Sequence, residues 1–372
     1  MRIAQLAPLT ESVPPKSYGG TELVVNLITE GLVAAGHEVT LFASEDSETS
    51  AELVSIAPKA LRLDESIPVR RWPAYALRQL LEFQKRQHEF DIVHNHMGYE
   101  AFATLKRCLI PNVTTNHNPI RDYCAPLYLE YADLPFVSIS HAYRKLNYPD
   151  KLNYVATIYN GIDVEPHIHW MPGEDGDGDG AGNSIKPSSA EGAAAGRAPV
   201  PQKPTSLLFL GRICQDKGTA TAIEIAQKLG MPLKIAGKVD AADRQYYEQL
   251  VKPHLNSQNI EYVGEVTFKQ KLKLYNESVA VVYPIAFDEP FGLVVAEALA
   301  SGVPIMAFER GSMSELITDG ETGILGKNAD DLIKRFAEVE HISANKCRES
   351  AKSRFSKERM VSEYVKLFES LC

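Results

Sequence analysis

Apolar and polar positions along the chain alternate in two periods, and the switch between those periods recurs from the first residues to the last. Short apolar or β-branched runs at 2–7, 37–43, 91–95, 112–116, 136–140 and 155–159 predict strands. Between the first two, Leu23, Leu27, Ile28, Val33 and Ala34 share one face at helical spacing, which predicts a helix over 20–36. After residue 204 the pattern resumes. Strands are predicted at 206–211, 233–237, 260–263, 279–284 and 304–308. Helices are predicted between them at 219–229, 243–254, 268–276 and 291–301, with a largely helical tail over 345–371. This alternation implies parallel strands joined by right-handed helical crossovers, hence an α/β fold.

Residues 171–204 follow neither period. Their 34 positions hold seven Gly, five Pro and three large apolar residues, too little to offset the entropy of ordering them. A disordered Gly/Pro-rich insertion or linker is expected there. The chain then divides into a Rossmann-like N-terminal domain (1–170), the linker, a Rossmann-like second domain (205–350) and a C-terminal helix (351–372) that crosses back to the first domain. Two such domains put a ligand site in the cleft between them, near the carboxyl ends of the strands.

Composition narrows the function. The 372 residues match two domains and are 44% hydrophobic, as in an ordinary globular protein. The net charge of −9 lacks the overall basic field of a nucleic-acid binder. Cys108, Cys124, Cys214, Cys347 and Cys372 form no CxxC or metal-ligand spacing and read as reduced thiols. No secretory signal or membrane-spanning run is expected, so the expected location is the cytoplasm.

The densest chemistry lies at 287–304, FDEPFGLVVAEALASGVP. An apolar strand ends in an acidic turn, Pro290-Phe291-Gly292 opens a helix and Gly302-Val303-Pro304 closes it. Glu289 precedes the helix and Glu297 lies about two turns in. A helix N-terminus supplies unbonded N–H groups and a positive dipole end, which suit a sugar hydroxyl or a phosphate.

This stretch resembles the signature of the retaining GT-B glycosyltransferases of family 4 (glycosyl transferases group 1), E-x-F-G-L-x-x-x-E-A-x-A-x-G-x-P. Further segments match that family in order: 18–22 (YGGTE), 91–96 (DIVHNH), 115–117 (TNH), 160–163 (NGID) and 211–218 (GRICQDKG). The resemblance covers nearly the whole chain outside the insertion. It implies two Rossmann-like domains facing across a cleft and hexosyl transfer from a nucleoside-diphosphate sugar to a hydroxyl acceptor, with no cofactor and no metal. UDP-glucose is the default donor it implies.

The resemblance also implies roles. Arg212 and Lys217 neutralise the departing diphosphate, which a planar fork and a compact ammonium suit. Gly19 and Gly20 let backbone approach the donor. Glu289 bonds hydroxyls of the transferred sugar, and the amides of Phe291, Gly292 and Leu293 contact sugar and diphosphate. Glu297 holds the ribose diol, Val266 lies by the base, and His117 reaches the reacting sugar. Catalytic roles thus fall to His117, Arg212, Lys217 and Glu289.

Other patterns carry less. His94 and His96 sit at strand spacing but lack a third ligand for a metal. The acidic repeat at 175–180 starts like a calcium loop, yet its twelfth position is Lys186 rather than Glu. Arg70, Arg71, Arg78, Lys85 and Arg86 could contact anionic lipid at the inner face of the membrane, although an ordinary N-domain helix explains them. An epimerase of the same fold and a non-catalytic nucleotide-sugar-binding protein are the alternatives, since fold alone does not set chemistry.

Overall fold

A computed structural model describes residues 1–16, 19–170, 204–255 and 259–372. Tyr18 of the glycine loop and the expected insertion, apart from Pro204, lie outside those residues. Seven strands form the first sheet: β1 (Arg2–Leu6), β2 (Glu38–Phe42), β3 (Glu52–Val54), β4 (Ile92–Asn95), β5 (Asn112–Asn116), β6 (Phe136–Ser138) and β7 (Tyr154–Thr157). Six form the second: β8 (Ser206–Leu210), β9 (Leu233–Ala236), β10 (Ile260–Gly264), β11 (Ser278–Tyr283), β12 (Ile305–Phe308) and β13 (Gly323–Gly326). Their orders are 3-2-1-4-5-6-7 and 10-9-8-11-12-13, and every pairing between the named strands is parallel. Both are doubly wound sheets of the Rossmann kind, as the alternation implied.

Strands covered on both faces should be apolar throughout. Strand β8, Ser-Leu-Leu-Phe-Leu, is buried at all five positions. Helix Thr219–Leu229 ends at Gly230 in the left-handed conformation, a C-terminal stop that glycine tolerates. Helix Phe268–Asn276 opens with a capping box between Thr267 and Gln270.

Three departures from the sequence reading have local causes. The helix expected over 243–254 is broken into Arg244–Tyr246, a π turn over Tyr247–Val251 and a 3₁₀ turn over Lys252–His254. Pro253 has no N–H and crowds the carbonyl four residues back. Strands β3 and β13, unforeseen, are edge strands of three and four residues with two large apolar side chains each. The tail is two helices, Ala344–Phe355 and Lys357–Leu371, separated at Ser356. Ser356 is extended, and its side chain accepts from Arg359 N. The crossing to the first domain therefore begins at Lys357 rather than at 351.

The last helix completes the first domain. Met360, Val361, Tyr364 and Phe368 share one core cluster with Ile3, Val24, Ile28, Ile92 and Val113. Residues 70–86 form a short turn and helix Trp72–Arg86, whose Leu80 and Phe83 are buried in the other core of that sheet. Among the described residues, no helix is long and apolar enough to cross a membrane.

Helix Gly20–Ala34 meets the last helix at Gly31, where an added Cβ would lie 2.4 Å from Val361 Cγ2. Alanine normally stabilises a helix interior by about 0.5–1 kcal/mol over glycine, while overpacking costs about 1–3 kcal/mol. Gly31→Ala is therefore expected to lower stability in the wild-type background and to raise it alongside Val361→Ala. Urea unfolding of the four proteins of that cycle reads the change of sign.

Candidate active site

The centre of the site is the carboxyl end of β11. Glu289, 9% exposed, accepts at Oε2 from Lys217 Nζ at 2.5 Å and from the Tyr283 hydroxyl at 2.7 Å. Lys217 Nζ also lies 4.9 Å from the centroid of the Phe287 ring. Burial pushes the Lys217 ammonium towards neutrality, but Tyr283 and the Glu289 carboxylate outweigh it and hold the proton on.

Glycines bring these groups together. Gly218 has φ +76°, and a Cβ on it would stand 2.0 Å from the Pro284 carbonyl oxygen. The loop carrying Lys217 thus lies directly on the loop leaving β11. Gly311, at φ +54°, leaves room for the Glu289 backbone, whose N would be 2.3 Å from an added Cβ. Ser312 then donates from its N to the Glu289 carbonyl at 3.0 Å and from its hydroxyl to the Phe291 carbonyl at 2.6 Å.

Helix Leu293–Ala300 follows from Gly292, which is left-handed and provides no side-chain cap. Val295 N donates to the Gly292 carbonyl at 3.0 Å, and the N–H groups ahead of it are the ones a ligand can take. An added Cβ on Gly20 would sit 3.5 Å from Leu293 Cδ1, so the first domain's glycine loop borders this helix end. Gly19 packs on Pro15, whose Cβ would be 2.7 Å from a Cβ on Gly19. Two further contacts join the domains here. The Ser140 hydroxyl donates to the Pro290 carbonyl at 2.6 Å, and the Glu315 carboxylate accepts from His141 N and from the Tyr159 hydroxyl, each at 2.9 Å.

Glu297 is buried on the same helix. Its Oε1 accepts from Lys271 Nζ at 2.5 Å and its Oε2 from the Tyr275 hydroxyl at 2.9 Å. Burial pushes this carboxyl up, yet Lys271, His167 and the two hydrogen bonds outweigh it and hold it below its ordinary range. Each carboxylate oxygen retains a further lone pair.

Arg212 shares a loop with Lys217 but turns towards the loop after β9, with Nη1 3.6 Å from Asp240 Oδ2 and 3.6 Å from Asp243 Oδ2. The two cations expected to act as a pair are thus each matched to their own carboxylates, because charges taken from water need partners. Val266 is half-buried against the core cluster that runs between the domains. His117 lies across the cleft in the first domain, beyond β5, 2.8 Å from His96.

The motifs did not reveal Tyr283, Lys271, Tyr275 or the neighbours of His117. Tyr283 was legible as a polar-tipped residue at the carboxyl end of an apolar strand. Lys271 was not, because its partner is 26 residues away on another helix. His94 and His96 turn to Thr115 and Gln5, and among the described residues no three metal-ligating side chains converge.

Comparison with known proteins follows the same division. The family model for Glycosyltransferase Family 4 matches residues 18–166, and that for Glycosyl transferases group 1 matches 194–354. A glycosyltransferase of Methanocaldococcus jannaschii, named as uncharacterized, is 25% identical over 88% of this chain and 87% of its own. The glycogen synthase of Mycobacterium tuberculosis is 24% identical over 94% and 89%. Anabaena HepE, solved in complex with UDP and glucose, superposes with a TM-score of 0.73 at 15% identity over all of both chains.

One further carboxyl stands at this cleft. Glu22, in the first turn of helix Gly20–Ala34, is 6% exposed and is pushed up from 4.5 to about 7 by burial, with Glu11 adding to the shift. Below pH 4.5 it is protonated in both the folded and the unfolded chain. Between 4.5 and 7 only the unfolded chain ionises freely, so stability falls through that window by about 1.4 kcal/mol per pH unit. Glu22→Gln is therefore expected to melt higher than wild type at pH 8 and level with it at pH 4, read by calorimetry at both pH values.

Proposed function

This chain belongs to the group 1 glycosyltransferases, and we propose that it moves a hexose, with retention at the anomeric carbon and without a metal ion, from a UDP-sugar to a hydroxyl acceptor. One observation carries the reading. Lys217 bonds Glu289 just ahead of an uncapped helix N-terminus, and the first domain's Gly20 lies against that helix end at Leu293. UDP is favoured by the fold shared with HepE, which was solved with UDP and glucose; glucose is the default hexose.

On this reading the diphosphate lies along the N–H groups of Phe291, Gly292 and Leu293, at the positive end of the helix dipole. Lys217 has three ammonium protons. Glu289 and Tyr283 take two, leaving one for a phosphate oxygen. Arg212 supplies the second cation. As the bond from the anomeric carbon to the phosphate oxygen breaks, negative charge develops on the diphosphate, where Lys217 and the helix N–H groups are already oriented and towards which Arg212 swings from Asp240 and Asp243. The acceptor oxygen bonds to the same face of that carbon, and its proton passes to the leaving phosphate oxygen, so no side-chain base is required. Glu289 positions the sugar through a hydroxyl, and Glu297 accepts from the ribose diol on its remaining lone pairs. Two side-chain cations do the work that a divalent ion would do, so EDTA is expected to change turnover less than several-fold.

Kinetics of three variants separate these roles. Glu297→Gln is expected to weaken UDP binding about 10- to 150-fold, or ~1.5–3 kcal/mol, by removing charge-assisted acceptance. Glu289→Gln should depress kcat more than UDP affinity. Arg212→Ala should cost about 10²–10³ in kcat. Lys271→Met is the control, because it breaks the Lys271–Glu297 pair but leaves the carboxylate. It should retain UDP affinity far better than Glu297→Gln, measured by titration calorimetry. Equal losses in those two variants would reduce Glu297 to a partner of Lys271.

A further inference from the structure

His117 is the first-domain residue assigned to the transferred sugar, and it does not stand alone. Its Nε2 lies 2.8 Å from His96 Nδ1, with the two rings stacked at a centroid distance of 5.1 Å. His96 Nε2 in turn lies 2.9 Å from Gln5 Oε1. Gln5 and His96 are both buried, at 0% and 4% exposure, whereas His117 is half-buried. Gln5 belongs to β1, which pairs with β4 so that Gln5 faces His94 in register and His96 follows just beyond the strand. The neighbouring His94 is held separately, through Thr115 to the Tyr364 hydroxyl of the last helix.

With the Gln5 amide oxygen facing His96, the chemistry of this row leaves one consistent arrangement. An amide oxygen only accepts, so His96 Nε2 must carry a proton to bond Gln5 Oε1. All three histidines are pushed towards the neutral form by burial, and a neutral ring has one N–H. His96 Nδ1 is therefore bare and can only accept, so His117 Nε2 donates to it. His117 Nδ1 is then bare as well. It has no hydrogen-bond partner among the described residues and is not a buried orphan, so it stays open to a ligand.

We infer that Gln5 and His96 are positioning residues that hold His117 in a single tautomer, Nε2–H towards the protein and Nδ1 bare at the cleft, as acceptor for a hydroxyl of the transferred sugar. The inference rests on the donor reading proposed above for its last step and on the hydrogen-bond row alone for the others. It makes a strand residue with no ligand contact set the polarity of a ring that has one, since the hydrogen bond at one ring nitrogen decides the other. A sugar hydroxyl that donates to Nδ1 is recognised, whereas a group that can only accept finds no donor there.

The test uses the full chain with 15N-labelled histidine, in which long-range proton–nitrogen spectra report which ring nitrogen carries the proton. In the wild type, His96 and His117 should both appear as Nε2–H tautomers. Gln5→Met keeps the side-chain length and removes the acceptor. It should give a mixture of His117 tautomers and lower kcat on the order of tenfold, as when a functional ring loses its orienting partner, with KM for the donor little changed. A His117 Nδ1–H tautomer in the wild type overturns the inference. That form corresponds to the reversed Gln5 amide, which would pair the Nε2 that now has no partner. A Gln5→Met protein with unchanged tautomer and kcat overturns it too. If the wild-type tautomers are as expected but no nucleoside-diphosphate sugar is turned over, the hydrogen-bond row stands and the donor reading falls.

Discussion

The chain passes between its two sheets twice, and the two passages are bonded to each other. Ile162 N donates to the Phe355 carbonyl at 2.8 Å, and Lys357 N donates to the Ile162 carbonyl at 2.9 Å. Gly161 makes this possible, because a Cβ there would lie 2.8 Å from Lys357 Cα. The site needs the carboxyl ends of both sheets to face one volume, and the paired passages tie the two sheets together in one strip. The same strip delivers helix Lys357–Leu371 onto the first sheet, where Tyr364 meets Thr115. The Asn-Gly-Ile-Asp segment that resembled a family motif is thus the place where the domains are tied.

Charge is handled differently on the two sides of the cleft. On the second domain each ionised group arrives with partners: Lys217 with Glu289, Lys271 with Glu297, and Arg212 with Asp240 and Asp243. Burying any of these charges unpaired would cost several kcal/mol. The pairs therefore offer a ligand oriented donors and acceptors instead of a strong net field. On the first domain the corresponding groups are neutral imidazoles held by burial and by one another. A diphosphate suits the first surface and a sugar hydroxyl suits the second.

Much of this was legible in the sequence. The 2-and-3.6 alternation reports which face of each segment is buried, and it predicted parallel doubly wound sheets. Glycine and proline marked the turns, and the two-glutamate segment with the Gly-Arg…Lys-Gly loop pointed to the family and to groups that the fold brings together. Pro253 was also in view as a reason for the helix over 243–254 to break.

Other features needed the tertiary structure. The edge strands β3 and β13, with two large apolar side chains each, appear only where a neighbouring strand pairs with them. Partner choice is equally hidden. Lys271 finds Glu297 across 26 residues, and Gln5 finds His96 across 91. Periodicity says that a position is buried, but not which side chain from another element fills the space or supplies the hydrogen bond. The sequence by itself determined the layers, the turns and the chemical groups of the site. Only the folded chain decided which groups are paired, which are neutral and which ring nitrogen faces the cleft, because desolvation and hydrogen bonding act on residues brought together by packing and not by order along the chain.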